Sequence, residues 1–243
     1  MKKSFLIIVT LVAFNSSSGV TQDMNQDEIL AKYYQAMGIA NIKEWKTMTM
    51  TGKSTAQGME FPVTIYMKRP DKIRVEVLIQ GNKMIQVFDG QAGWSVAPWS
   101  GSSDPQDMTP DEMKAMKEQA DFEGSLFNWK EKGHQVDLLG TEVMEGSRVY
   151  VIKVTRADEN VETYYIDDED LVPIKIKTIT KIQGNETESE AIPSNYKEVN
   201  GAMMPFAIEN KYKGQTVSHV LIDKYEINLD VDDNLFVKPV KKQ

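Results

Sequence analysis

The chain has 243 residues, 41% of them hydrophobic, with 28 basic against 36 acidic side chains, a net charge of −8 and no cysteine. The missing cysteine excludes a disulfide framework, a thiolate zinc site, a cysteine nucleophile and lipid attachment to an N-terminal cysteine. The acidic balance repels nucleic acid and anionic membrane surfaces, so neither is an expected partner.

Lys2 and Lys3 precede an apolar run, Phe5 to Phe14, followed by Ser16, Ser17, Ser18 and Gly19. A basic start, a short apolar stretch and small residues predict a secretory signal peptide over residues 1–19. The run is shorter than the roughly 20 residues that span a bilayer. Losing Lys2 and Lys3 takes the charge from −8 to −10. Residues 20–243 then fit one exported domain, expected in a bacterial periplasm.

Asn25 and Glu28 have capping-box spacing, with Met24 and Ile29 set for a hydrophobic staple. Ile29, Leu30, Tyr33, Tyr34 and Met37 recur on one helical face, and Gly38 ends the helix. Period-two alternation then takes over. Phe61, Val63 and Ile65 share one face of "MEFPVTIYM", and Ile73, Val75 and Val77 share one face of "KIRVEVLIQ". "KMIQVFDG" and "AGWSVAPW" make another pair, turning at Asp89-Gly90-Gln91-Ala92 and carrying Trp94 and Trp99.

Thr109, Pro110 and Glu112 supply an N-cap, a first-turn proline and a box partner for a helix with Met113 and Met116 on one face. "SLFNWKEKG" predicts a second short helix bearing Leu126, Phe127 and Trp129. Seven strand patterns follow: "HQVDLLG", "SRVYVIKVT", "VETYYID", "LVPIKIKTITKI", "TESEAIPSNYKEV", "AMMPFAIENKYK" and "TVSHVLIDKYEIN". Their turns include Asp167 to Asp170, Gln183-Gly184-Asn185 and Asn200-Gly201. The expected fold is mainly β with a few helices, an antiparallel meander of about eleven strands.

About eleven strands at roughly 4.8 Å make a sheet some 50 Å across, whereas a helix is about 10–12 Å wide. Two helical segments cannot cover so wide an apolar face, so the sheet must curl into an incompletely closed barrel or split into a sandwich. A curled sheet with a helical lid either holds a ligand or fills its hollow with its own side chains.

Catalytic signals are weak. His134 and His219 have no G-x-S-x-G or H-E-x-x-H context. His219 alternates with Val217 and Leu221, which places it on the apolar face in a structural role. Asp167, Asp168, Glu169 and Asp170 lack EF-hand spacing and read as a solvated hairpin turn, as do Asp230, Asp232 and Asp233. No enzyme activity, metal or cofactor is expected.

Lys68-Arg69-Pro70, Val87, Asp89-Gly90, Trp94 and Pro98, with "VDDNLFVKP" near the C-terminus, resemble the outer-membrane lipoprotein-sorting or periplasmic lipoprotein carrier (LolA-like) family. The resemblance implies a curled, open antiparallel sheet with helices as a lid, and a hollow for the acyl chains of a lipoprotein or lipid. It implies that Arg69 is a latch bonded to the lid. Phe61, Val63, Ile65, Ile73, Val75, Val77, Trp94, Met113, Met116, Leu126, Phe127 and Trp129 become candidate cavity and lid residues. Implied partners are an inner-membrane exporter and an outer-membrane acceptor, with the carrier a monomer. Ile73 and Val75 stand where the family favours aromatics. The alternatives on the residues alone are a solvated Arg69 and a regulatory module of the same fold that binds a protein partner.

Overall fold

The computed structural model describes residues 24–97, 99, 104–182 and 185–239. The expected signal peptide, Pro98 and the Gln183-Gly184 turn lie outside them. Helix α1 (Gln26–Met37) begins as its sequence dictates. The Asn25 side chain accepts from Glu28 N at 3.0 Å, and Glu28 accepts from Asn25 N at 3.2 Å. Gly38 ends it at φ 67°, where a Cβ would stand 2.1 Å from Gly201 O, so only glycine fits the turn into α2 (Ile39–Ile42). Helix α3 (Pro110–Gln119) opens on the Thr109–Glu112 box. Residues 125–133 form turns instead of the predicted helix, because Asn128 takes a left-handed φ of 50° that interrupts the ladder.

The described strands are β1 (Thr47–Ala56), β2 (Met59–Lys68), β3 (Lys72–Ile79), β4 (Asn82–Phe88), β5 (Gly93–Val96), β6 (Gln106–Asp107), β7 (Gln135–Met144), β8 (Ser147–Thr155), β9 (Val161–Asp167), β10 (Pro173–Ile182), β11 (Asn185–Val199), β12 (Ala202–Tyr212) and β13 (Gln215–Ile227). They form one antiparallel sheet in the order 6-5-4-3-2-1-13-12-11-10-9-8-7. The count is thirteen against the expected eleven; β1 and the two-residue β6 are the additions. Every neighbour is next in sequence except β1 and β13, which join the chain's two ends mid-sheet. The outer strands β6 and β7 do not pair, so the barrel is incompletely closed, and the segment linking them carries α3.

The curl follows from distances. In strand order β4 and β8 are nine places apart, about 43 Å in a flat sheet. Yet α3, about 15 Å long, packs on β3–β5, while its Lys114 and Glu118 reach Asp158 and Arg156 after β8. The β2–β3 and β8–β9 turns point to opposite ends of a flat meander. Seven steps of roughly 20–25° twist turn the strands by about 140–175° and set those turns at the same end, and the curl of the sheet closes the remaining distance.

Two clusters fill one end of the concave face. Ile39, Ile42, Trp45 and Met116 pack with Met48, Met67, Ile73 and Phe88. Ile29, Leu30 and Tyr33 pack with Leu126, Val136, Ile152, Val154 and Ile166. On the convex face, Val231 and Phe236 lie over Val87 and Trp94. There Lys68 holds Val231 O, Arg74 holds Leu235 O, and both Lys68 and Lys72 hold Asp233.

Candidate functional site: the lid and the concave face

Arg69 follows the last residue of β2, and its N–H donates to Lys46 O at 2.9 Å, which fixes the direction of its side chain. Nε donates to Trp45 O at 2.6 Å, and Nη2 donates to Ile42 O at 3.0 Å and to Glu123 Oε1 at 2.7 Å. The guanidinium also stacks 4.6 Å from the Phe122 ring centroid. Arg69 thus joins the sheet to carbonyls at and just beyond the end of α2 and to the segment after α3, a use suited to a planar fork of donors. It is not the solvated edge charge that the residues alone left open.

The predicted apolar residues divide. Phe61, Val63 and Ile65 alternate on the same face as Met67, and the register pairs Val63 with Val77, Ile65 with Val75 and Met67 with Ile73. All therefore stand on the concave face. Met113 and Met116 of α3 meet the first cluster there. Leu126 and Trp129 join the second, and Phe127 packs edge-on to Tyr34 at 5.3 Å. Trp94 is a correction. It pairs with Val87 on the convex face and donates from Nε1 to Phe236 O at 3.2 Å, because the C-terminal segment returns over it. His219 is a second correction. It is exposed beside Val217 (48%) and Leu221 (53%) on the convex side, and Val220 and Ile222 face inward.

The concave face extends past the helices. Phe61, Ser54, Val220, Ile208 and Pro193 stand in one row across β2, β1, β13, β12 and β11. Val77, Val63, Gly52 and Ile222 form the next. Gly52 lets the backbones approach at the β1 register shift; a Cβ there would lie 2.2 Å from Leu221 O. Met67 and Ile73 are buried beneath the helices, but Phe61, Ile65, Val75, Val77, Ile208 and Val220 are only half-buried. Ile208, Val220 and Pro193 were missed in the sequence. The alternation of Met204, Phe206 and Ile208 in "AMMPFAIEN" was the signal for Ile208 alone.

Beside the lid, a cavity of about 540 Å³ separates the β2–β3 turn (Pro70, Asp71) from Arg156 and Asp158 of the β8–β9 turn, with Glu118 and Lys114 of α3 on its wall. Most of the side chains that line it are charged, unlike those of the expected hollow, although their carbon stems make up much of its wall. A groove of about 300 Å³ holds Tyr34, Phe127 and Trp129. Another cavity, of about 770 Å³, lies between Ala36 of α1 and Ile174, Tyr196 and Met203.

Arg156 is a hub that the sequence did not reveal. It meets Glu162 at 2.8 Å, Glu118 at 3.2 Å and Asp158 at 3.7 Å, while Lys114 meets Asp158 at 3.1 Å. Glu162 also accepts from Tyr164 OH at 2.9 Å and from Ser125 Oγ. Burial, then a hydrogen bond with Asp158, pushes the Glu118 carboxyl up to about 7. Burial works against ionised Asp158 as well, but hydrogen bonds from Glu118, Asn160 N–H and Lys114 outweigh it and hold that carboxyl below its ordinary value. Burial, then Arg156 and Lys132, lowers His134, whose Nδ1 accepts from Ala157 N. Among the described residues, no group of three or more His, Cys, Asp or Glu side chains is placed to hold a metal ion.

No protein-family model and no curated protein matches the chain. Solved structures do. A LolA superfamily protein from Nitrosomonas europaea is 14% identical over 88% of this chain and 98% of its own, with a TM-score of 0.58. A candidate outer-membrane lipoprotein-sorting protein domain from Vibrio parahaemolyticus is 13% identical over 86% and 94%, also at 0.58. A DUF1329 family protein from Desulfovibrio piger is 10% identical over 86% and 97%, at 0.60. With thirteen antiparallel strands in an unclosed curl and helices across its concavity, the chain has a LolA-like fold.

Proposed function

We propose that this protein is an envelope carrier that takes alkyl chains of lipoproteins or lipids onto its concave face and carries them through the periplasm toward the outer membrane. The observation that carries the reading is the row Phe61–Ser54–Val220–Ile208, half-buried and ending on buried Pro193, a largely apolar surface continuing beyond the helices. Burying an alkyl chain there is worth about 0.8 kcal/mol per CH₂, so about 11 kcal/mol gross for fourteen of them. The chemistry is binding, without bond making.

In this reading Arg69 is the latch. The empty protein keeps α2 and the segment after α3 tied to β2, and a guest must displace those bonds. A closed empty state lowers apparent affinity by the fraction of molecules that are open, which favours release to an acceptor. An inner-membrane exporter and an outer-membrane acceptor are the corresponding partners. Titration with a fluorescent fatty-acid analogue tests the reading: saturable binding supports it, and none removes it.

A second reading, an interaction module that binds a protein partner, draws support from β7. This ten-residue outer strand carries Leu139 (59% exposed) and Val143 (78% exposed). A stable protein complex isolated from the envelope, with no alkyl guest, favours that module over the carrier.

A further inference from the structure

We infer that Arg156 is a second latch for the α3 lid, set across the lid from Arg69, and that the lid swings free only when both are released. The inference rests on the carrier reading for its purpose but not for its geometry. The α3 segment is the covalent link across the unpaired gap between β6 and β7, so no ladder holds it. Towards β2 its far end is tied through Glu123 to Arg69. Towards β8 and β9 it is tied by Lys114 to Asp158 and by Glu118 to Arg156, and Ser125 adds a bond to Glu162. Arg156 is itself anchored on the sheet by Glu162. It therefore acts as a positioning residue, presenting charge to the lid from a fixed base.

This second clasp is incompletely satisfied. Arg156 Nη2 lies 3.2 Å from Glu118 Oε1 without hydrogen-bond alignment, so Glu118 Oε1 and Arg156 Nε are buried with no hydrogen-bonded partner. Buried polar atoms left unpaired cost free energy that opening the adjoining mouth of about 540 Å³ returns, because water reaches them. Arg69, with three well-made bonds, has no such defect.

The charges facing Glu118 also give the clasp a pH response. They are Lys114 on α3, Arg156 and Asp158 on the β8–β9 turn, and Glu162 on β9, with Asp71 on the β2–β3 turn and Lys117, Asp121, Lys132 and His134 lining the same cavity. Burial and a hydrogen bond to Asp158 favour protonated Glu118 in the closed lid, so there its tie to the β8–β9 turn runs to Asp158 and its contact with Arg156 is that of a neutral carboxyl, whereas a solvated Glu118 in the open lid ionises in the ordinary carboxylate range. The closed form binds the proton more tightly. Its advantage is complete below the ordinary carboxylate range and is lost as pH rises toward about 7, so rising pH opens the lid.

The chain has no cysteine, so spin labels can be placed at Gln119→Cys on α3 and Ala157→Cys on the β8–β9 turn. Distance distributions are then read in the otherwise native protein and with Lys114→Ala/Glu118→Ala. Alanine keeps α3 helical and leaves the Arg156–Glu162 pair intact. The expected result is at least a tenfold larger long-distance population in that variant, increasing further when Arg69→Leu is added. The long-distance population of the native clasp grows between pH 5.5 and 8, and Glu118→Gln abolishes that growth. Arg156→Lys, which keeps charge but loses the fork, gives an intermediate opening and carries the test if the double variant fails to fold. An unchanged distribution in the variants overturns the inference. Opening as expected in a protein that takes up no fatty-acid analogue leaves the latch standing and removes the carrier reading.

Discussion

Replacing Arg69 by leucine isolates the contribution of the first latch. The side chain makes hydrogen bonds of 2.6 and 3.0 Å to the Trp45 and Ile42 carbonyls and an ion pair of 2.7 Å with Glu123. Bonds from a charged donor are worth about 1.5–3 kcal/mol each when well shielded. The arginine side chain is 30% exposed, so a discounted figure of about 1 kcal/mol per bond applies. Three such bonds bias the lid toward closure by about 3 kcal/mol, roughly 10²-fold. If guest binding requires the open lid, removing that bias tightens apparent affinity by up to the same factor and slows release. Titration with a fluorescent fatty-acid analogue gives the affinity, and transfer from loaded protein to acceptor vesicles gives the release rate. An affinity within threefold of the native value, or a weaker one, refutes the role assigned to Arg69.

Face assignment is tested by neighbours in one strand: Val220→Lys places a charge in the concave row and lowers analogue affinity at least tenfold, whereas Leu221→Lys on the exposed convex side leaves it unchanged. Gly38→Ala forces a Cβ to within 2.1 Å of Gly201 O at a left-handed φ, and is expected to cost about 2–5 kcal/mol. Thermal melts read that loss as a Tm drop of about 5–15 °C. Trp94→Ala removes a convex-face core side chain that is 3% exposed, for a loss of about 3–5 kcal/mol in urea unfolding. Because Trp94 faces away from the guest, the analogue titration of the folded fraction stays as in the native protein.

Where one face of a strand is apolar and the other polar, the sequence announced its structure. The alternations in β2 and β3 placed Phe61 through Val77 on the concave side, and both capping boxes and Gly38 marked helix ends. Strand β1 went unseen because its inward positions are Met48, Met50, Gly52 and Ser54, too weakly apolar to stand out against threonines. Strand β13 misled because both phases of "TVSHVLIDKYEI" are apolar, and a register shift by the β1 partner removes the fixed period. Trp94 and Arg156 failed for a common reason. What decides their surroundings is remote in sequence: Phe236 comes 142 residues after Trp94, and Glu118 lies on a helix across the gap from Arg156. The Arg69 turn was visible as a motif, but its partners Glu123 and Phe122 had no local signal.

The carrier reading requires that an alkyl chain complete the concave face. Native mass spectrometry of the protein purified gently from its own envelope tests it most directly. The expected result is a bound species carrying one or more long acyl chains, displaced by an added fatty-acid analogue and lost in Val220→Lys. A guest-free protein that also fails to take up the analogue contradicts it.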